Sequence, residues 1–257
     1  MTLTFITNYL THHTSPLSEA LYGWLGAGFR FVETRPLRAG RVELGWQPEQ
    51  DRPYLLRAYQ GPEVAARCRH LALGSDVVLL GSAPDSWILP RLRQHRLTFR
   101  YGERWYKTGP PPGARARAWL HHGRFRRAPL YLLCASAYGA SDAARAGCYP
   151  GRAYRFGYFP QVHFHCKGAL LSQKDPTGST LLWAGRFLSW KHPLTAIALA
   201  RRLQEAALPF RLTLLGTGPE RQAMEREIHR QHLEDQVQIL GPQPPAAVRK
   251  EMEQANL

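Results

Sequence analysis

The chain has 257 residues, 44% of them hydrophobic and seven of them Trp, which is enough for one large or two modest packed domains and excludes a disordered chain. No apolar run reaches the length of a membrane span, and Leu3-Thr4-Phe5-Ile6 opens the chain without the basic start of a signal peptide, so a cytoplasmic protein is expected. Of the net charge of +15, residues 1–160 carry +12, with 22 Lys/Arg against 10 Asp/Glu, so the first part is the one expected to meet an anion: nucleic acid, an anionic bilayer surface or a pyrophosphate-bearing acceptor.

In chain order, Leu3 to Ile6 reads as an apolar strand, and Ser15-Pro16 as an N-cap and first-turn pair opening a helix to about Leu25. The loop between them places His12 and His13 at a strand's carboxyl edge, where α/β sheets put ligands, which makes them candidates for substrate contact from the first domain. Phe29 to Glu33 is the second strand, and Arg35 to Pro53 reads as loop. Helices over Pro62 to Leu73 and Ser86 to His95 alternate with strands over Asp76 to Leu80 and Leu97 to Tyr101. From Lys107 to Arg127 comes Pro110-Pro111-Pro112 and a cluster of cations (Lys107, Arg115, Arg117, Arg124, Arg126, Arg127, with Arg104 just upstream) interleaved with Trp119 and Phe125. Such a segment suits a membrane surface or a solvated basic face. Leu130 to Cys134 is strand-like, Ser141-Asp142 begins a short helix, and Ala153 to Phe159 is the last apolar segment of a first domain at 1–160.

A polar linker is expected over 161–179, with turn chemistry in Lys174-Asp175-Pro176-Thr177-Gly178. A second domain over 180–257 then reads strand (Thr180 to Ala184), helix (Leu194 to Ala207), strand (Phe210 to Leu215), helix (Pro219 to His232), strand (Gln236 to Leu240) and helix (Pro245 to Ala255). Ala196, Leu199, Ala200, Leu203 and Ala207 form the apolar stripe of its first helix. Three strands are too few for a full domain of this kind, so the second domain is expected to be incomplete.

Arg186 and Lys191 stand five residues apart between a strand's carboxyl end at Gly185 and the first turn of a helix at Pro193. Two cations and a helix dipole there suit a diphosphate, and two ordinary surface cations are the other reading. Gly216-Thr217-Gly218-Pro219 has the place of a phosphate loop, and Thr217 with Glu220 has capping-box spacing. As a dinucleotide fingerprint it fails, because Arg221 stands where the third glycine would be, so no nicotinamide cofactor is expected. No Asp-x-Asp pair occurs, His163-Phe164-His165-Cys166 points to no further ligand, and the four cysteines lack CxxC spacing, so neither a metal nor a disulfide is expected.

Gly185-Arg186-x-x-x-x-Lys191, Leu215-Gly216-Thr217-Gly218-Pro219-Glu220 and Ile239-Leu240-Gly241, in that order and spacing, resemble the donor-binding domain of family-4 retaining glycosyltransferases with the GT-B fold, of the kind that builds bacterial surface polysaccharide. The resemblance implies an α/β protein of two Rossmann-like domains, with a nucleotide-sugar donor bound as substrate in the cleft between them and no separate cofactor. It implies Arg186 and Lys191 as catalytic grips on the leaving diphosphate, and donor contacts at Gly185, Gly216, Gly218, Leu240 and Gly241. It also implies a glycan or a lipid-linked molecule as acceptor, which would suit a peripheral place at the inner membrane face. The family often has a functional His near the turn occupied here by Gly102 and Glu103, so Glu103 joins His12 and His13 as a candidate sugar or acceptor contact, or else is a surface carboxylate paired with Arg104. The family's glutamate pair would fall beyond Leu257, so the chain alone is expected to be poorly active. The basic charge with Trp119 and Phe125 supports one alternative, a non-catalytic nucleic-acid-binding α/β protein.

Overall fold

Short apolar runs separated by helical stretches commit the strands to pair through crossovers, and every strand pairing is parallel. The structure, a computed structural model, describes residues 1–42, 46, 48, 50–106, 109–174 and 176–257. It separates into one unit of residues 1–37 and 48–162 and another of residues 38–47 and 163–257.

The first unit begins with β1 (Leu3–Thr7), α1 (Ser15–Leu25) and β2 (Phe29–Glu33). The next helix, α2 (Ala39–Val42), belongs to the second unit although sequence reading has only loop there. The first unit continues with β3 (Leu55–Arg57), α3 (Pro62–Gly74), β4 (Val77–Leu80), α4 (Leu89–Arg93), β5 (Thr98–Gly102), α5 (Ala114–His122), β6 (Leu130–Cys134), α6 (Gly139–Arg145) and β7 (Ala153–Arg155). Its sheet runs β3-β2-β1-β4-β5-β6-β7, so the order reverses between β1 and β4, the kind of switch point where α/β sheets open a crevice at their carboxyl ends. Successive residues serve opposite faces. Phe5, Phe31, Leu79 and Tyr101 pack with α1, while Ile6, Val32, Val78, Leu80 and Leu132 pack with residues of α3, α4, α5 and α6. Burial on both sides is why these strands read as continuous apolar runs.

Several expectations shift for local reasons. The three-residue edge strand β3 is too short to show a period, and it lies just past the loop expected over Arg35 to Pro53. The helix expected over Ser86 to His95 is a 3-10 turn at Asp85–Trp87 followed by α4, because Pro90 lacks a donor and His95 turns left-handed at φ 52°. Thr14, not Ser15, takes the N-cap of α1. In the basic segment Phe125 is buried in the core, whereas Trp119 is exposed; Lys107 lies outside the described residues.

The second unit adds α7 (Lys167–Ser172), β8 (Ser179–Ala184), α8 (Pro193–Glu205), β9 (Phe210–Leu215), α9 (Arg221–Arg230), β10 (Val237–Leu240) and α10 (Pro245–Gln254). Helix α7 falls in the stretch read as linker, whose Asp175 lies outside the described residues. The sheet order is β10-β9-β8. After α10 the chain returns to the other edge of β8, where Leu257 N–H donates to Thr180 O (3.3 Å) and Leu182 N–H to Leu257 O (2.9 Å), a parallel pairing. The direction of winding therefore reverses at β8, which sets a second switch point at its carboxyl end. In α8 the buried residues are Pro193, Ile197 and Ala200, with Ala196 and Leu203 alongside; Leu199 and Ala207 point away, one helical step from the stripe expected for them. The Thr217–Glu220 capping box does not form: α9 starts at Arg221 with Glu220 as N-cap and no side-chain cap.

One buried cation ties the first unit together. The Arg91 side chain is fully buried and donates to Leu73 O (3.1 Å), Ser75 O (2.5 Å), Asp76 O (2.8 Å), Leu97 O (2.7 and 3.1 Å) and Thr98 Oγ1 (3.1 Å). It thus satisfies the carbonyls that end α3 and those that lead into β5. Arg91→Met keeps the volume but strands these acceptors, and should lower unfolding free energy by about 3 kcal/mol in chemical denaturation.

At the end of α5, His122 lies flat on Trp105 (centroids 4.4 Å apart, 2° between planes) with Nδ1 3.0 Å from the Tyr149 hydroxyl. Burial first, then the nearby Arg100 and His121, push it down to about 3. Since folding lowers this pKa from 6.5, the stabilisation is complete above 6.5 and is lost as pH falls toward 3. His122→Gln, which keeps a polar partner for Tyr149 but does not titrate, should flatten that part of the melting-temperature profile; an unchanged acid slope would contradict a buried neutral imidazole.

Candidate functional site

At the carboxyl end of β8 the chain passes through Gly185, Arg186 and Phe187, and each main-chain group there is tied to the neighbouring loops. Gly185 N–H donates to Leu215 O (2.9 Å), Phe187 N–H to Thr217 O (2.9 Å), Glu220 N–H to Phe187 O (3.1 Å) and Gly216 N–H to Leu240 O (3.2 Å). The two loops touch backbone to backbone. A Cβ on Gly216, which sits at φ 140°, would stand 1.9 Å from Gly185 O, and one on Gly218 would stand 2.4 Å from Phe187 O. Only glycine fits either place. Phe187 is fully buried in the core of the second unit and packs beside Trp183 (5.6 Å between centroids).

With Phe187 turned inward, Arg186 is directed to solvent, and it has no ion-pair partner among the described residues. Lys191 closes the 3-10 turn Ser189–Lys191, its N–H bonded to Leu188 O (2.8 Å) and its Nζ 5.2 Å from the Trp190 ring centre. His192 then turns left-handed at φ 53° and feeds Pro193 into α8, whose amino end carries no side-chain cap. Two exposed cations and a positive helix end thus share the loop at the second switch point, an arrangement able to hold two phosphate groups. Gly216, Gly218 and Leu240 serve this loop through their backbone, while Gly241 has open space around it.

At the first unit's carboxyl edge, the buried Glu33 at the end of β2 accepts from Leu10 N–H (2.7 Å), Arg57 Nε (3.1 Å) and the Tyr59 hydroxyl (3.1 Å). That bond pins the loop carrying His12 and His13, whose rings lie 4.0 Å apart. His12 is held below the usual imidazole value by burial and then by His13. His13 lies 5.7 Å from the Tyr158 ring, and the Tyr158 hydroxyl donates to Glu103 Oε1. The structure therefore joins His12, His13 and Glu103 in one patch through Tyr158. Glu103 is not paired with Arg104, which donates instead to Asp142 (2.8 Å). Sequence reading missed Glu33, Tyr158 and Phe187; the visible signals were a carboxylate ending an apolar strand and aromatic residues inside loops.

Among the described residues no group of three or more His, Cys, Asp or Glu is placed to hold a metal, and no helix is long and apolar enough to cross a membrane. Cys68, Cys134 and Cys148 are buried free thiols and Cys166 is an exposed one.

Residues 172–257, which lie within the second unit, match the family model described as glycosyl transferases group 1. Anabaena Alr3699/HepE, in a crystal structure with UDP and glucose, is 12% identical over 100% of this chain and 73% of its own, with a TM-score of 0.61. The lipopolysaccharide outer core galactosyltransferase WaaB is 12% identical over 99% of this chain and 72% of its own, with a TM-score of 0.59. A UDP-N-acetylglucosamine 2-epimerase from Rickettsia bellii is 11% identical over 97% of this chain and 71% of its own, at a TM-score of 0.50. These likenesses identify the α/β fold as GT-B. None of the curated proteins matches the chain in sequence.

The glycines give the site its sharpest test. Gly216→Ala must drive the loop around 216–218 off Gly185, and should cost about 3 kcal/mol of stability, whereas Gly241→Ala, with nothing within 4 Å of its new methyl, should stay within about 0.5 kcal/mol. Equal melting temperatures for the two variants would show that the backbone contact is not a constraint.

Proposed function

We propose that the chain moves a sugar from a uridine-diphosphate sugar to a glycan or lipid-linked acceptor, with the anomeric configuration retained and without a metal, in the building of a surface polysaccharide. The observation that carries this reading is the solvent-facing pair Arg186 and Lys191, mounted on a loop that Phe187 anchors in the core, in front of the uncapped α8. The group 1 match over the same residues and the UDP bound by HepE support it. Arg186 offers a planar fork to two phosphate oxygens, Lys191 a point charge, and α8 its dipole, so the charge developing on the leaving diphosphate meets donors already in place. Gly185, Gly216, Gly218, Leu240 and Gly241 form the loops against which the donor rests. In the first unit His12, His13 and Glu103 are the acceptor contacts, and the basic surface serves a peripheral place at the inner face of a membrane.

Metal independence rests on the residues: the sequence contains no Asp-x-Asp pair, and the cations at the loop supply the charge that a metal would. The expected signature is transfer that survives a chelator and yields a product of unchanged anomeric configuration by NMR.

Arg186→Ala and Lys191→Ala should melt like the native chain, because exposed loop cations contribute little to stability. Transfer should fall by about 10²–10³, with weaker binding of UDP in calorimetry, and Arg186→Lys should recover little of either. Near-normal turnover and affinity in both alanine variants would return the two residues to ordinary surface cations.

A further inference from the structure

A surface helix ordinarily buries its large apolar side chains, and α5 does the reverse. Its buried residues are Ala114 and Ala118, while Trp119 is 49% and Leu120 66% exposed. At about 100° per residue, Ala116, Trp119 and Leu120 share the outward face, with Arg115 on one flank and Arg117 on the other. The indole is held in place: a methyl at Gly123 would come within 3.2 Å of its Cδ1 and Nε1, and one at Gly147 within 3.7 Å of Cδ1. Trp119 therefore lies against two glycines and presents its remaining surface outward.

The field around this stripe has one sign. Between Glu103 and Asp142 the sequence has no acidic residue. Arg124 is spent on Asp85 (2.6 Å), but Arg115, Arg117, Arg126 and Arg127 are exposed and have no ion-pair partner among the described residues. An exposed aliphatic side chain beside an indole, rimmed by guanidinium groups, matches the boundary between acyl chains and anionic headgroups. A nucleic acid strand would stack on the indole and pair with the arginines, yet would leave Leu120 without a purpose.

We propose that α5 is a membrane-docking helix that lies on an anionic phospholipid surface, with Trp119 and Leu120 at the headgroup boundary and Arg115, Arg117, Arg126 and Arg127 on lipid phosphates. The inference gives the proposed membrane association its surface, and it is independent of which donor the second unit binds.

The test is co-sedimentation of the whole chain with vesicles of phosphatidylcholine alone or mixed with phosphatidylglycerol. Binding should require the anionic lipid and weaken with added salt. Leu120→Ser, at a position outside the core, should weaken partitioning about tenfold. Arg115→Gln with Arg117→Gln should weaken it roughly 25-fold, about fivefold for each charge. Calorimetry with UDP should be unchanged in both variants, and failure of the native chain to bind UDP would overturn the donor reading while leaving the vesicle result intact. Equal binding to neutral vesicles, or native binding by the Leu120→Ser variant, would overturn the docking helix. So would a single-stranded oligonucleotide that binds the native chain and Leu120→Ser alike and is lost only with the arginines, since that pattern describes a general polyanion patch.

Discussion

In the second unit everything at the carboxyl edge of the sheet depends on two backbones meeting with no side chain between them. Gly216 and Gly218 let the β9 loop close on Gly185 and Phe187, and Phe187 is driven into the core by its apolar surface. Once Phe187 points inward, its neighbour Arg186 has only solvent to face. The left-handed His192 then bends the chain so that Pro193 can be buried at the head of α8, leaving Lys191 on the same loop as the helix end. Hydrophobic burial and a steric prohibition thus orient two charges that have no ion-pair partner among the described residues, and the free energy that places them comes largely from apolar residues.

The first unit orients its edge by another device, the satisfied buried polar group. Glu33 holds the His12 loop through Leu10 N–H, and Arg91 holds the turns on either side of its helix through backbone carbonyls. Burial would raise the Asp85 carboxyl, but Arg100 and Arg124 outweigh it and keep it below the usual range. Each such group costs little while its partners are present and a great deal when one is removed, so these loops hold their place through polar contacts.

The same accounting changes the meaning of the basic composition. Of the cations in the first part of the chain, Arg91, Arg100, Arg104 and Arg152 are engaged internally. The field that reaches outward is therefore smaller than the formal charge and more localised, concentrated where the sequence between Glu103 and Asp142 lacks acids. That locality gives the basic charge of the first unit a direction.

Periodicity and punctuation in the sequence were enough to place Phe29–Glu33, Leu130–Cys134, Phe210–Leu215 and the helix Ser15–Leu25, because long apolar runs flanked by Gly and Pro have one local solution. The pair Arg186 and Lys191 was legible for the same reason, since a strand, a glycine and a Pro-led helix state where the loop must be. Short edges such as Leu55–Arg57 and Ala153–Arg155 were not, as three residues hold no period and are selected by pairing with a neighbour. Nor could spacing show that Tyr158 joins His13 to Glu103, that Phe125 goes inward while Trp119 stays out, or that Leu257 runs beside β8. By itself the sequence determined the longer elements and the chemistry that the loops between them carry, which are local properties of neighbouring residues. Which side chains meet was decided only by the tertiary structure, because those contacts join residues far apart in the chain and depend on the order in which parallel strands are laid side by side.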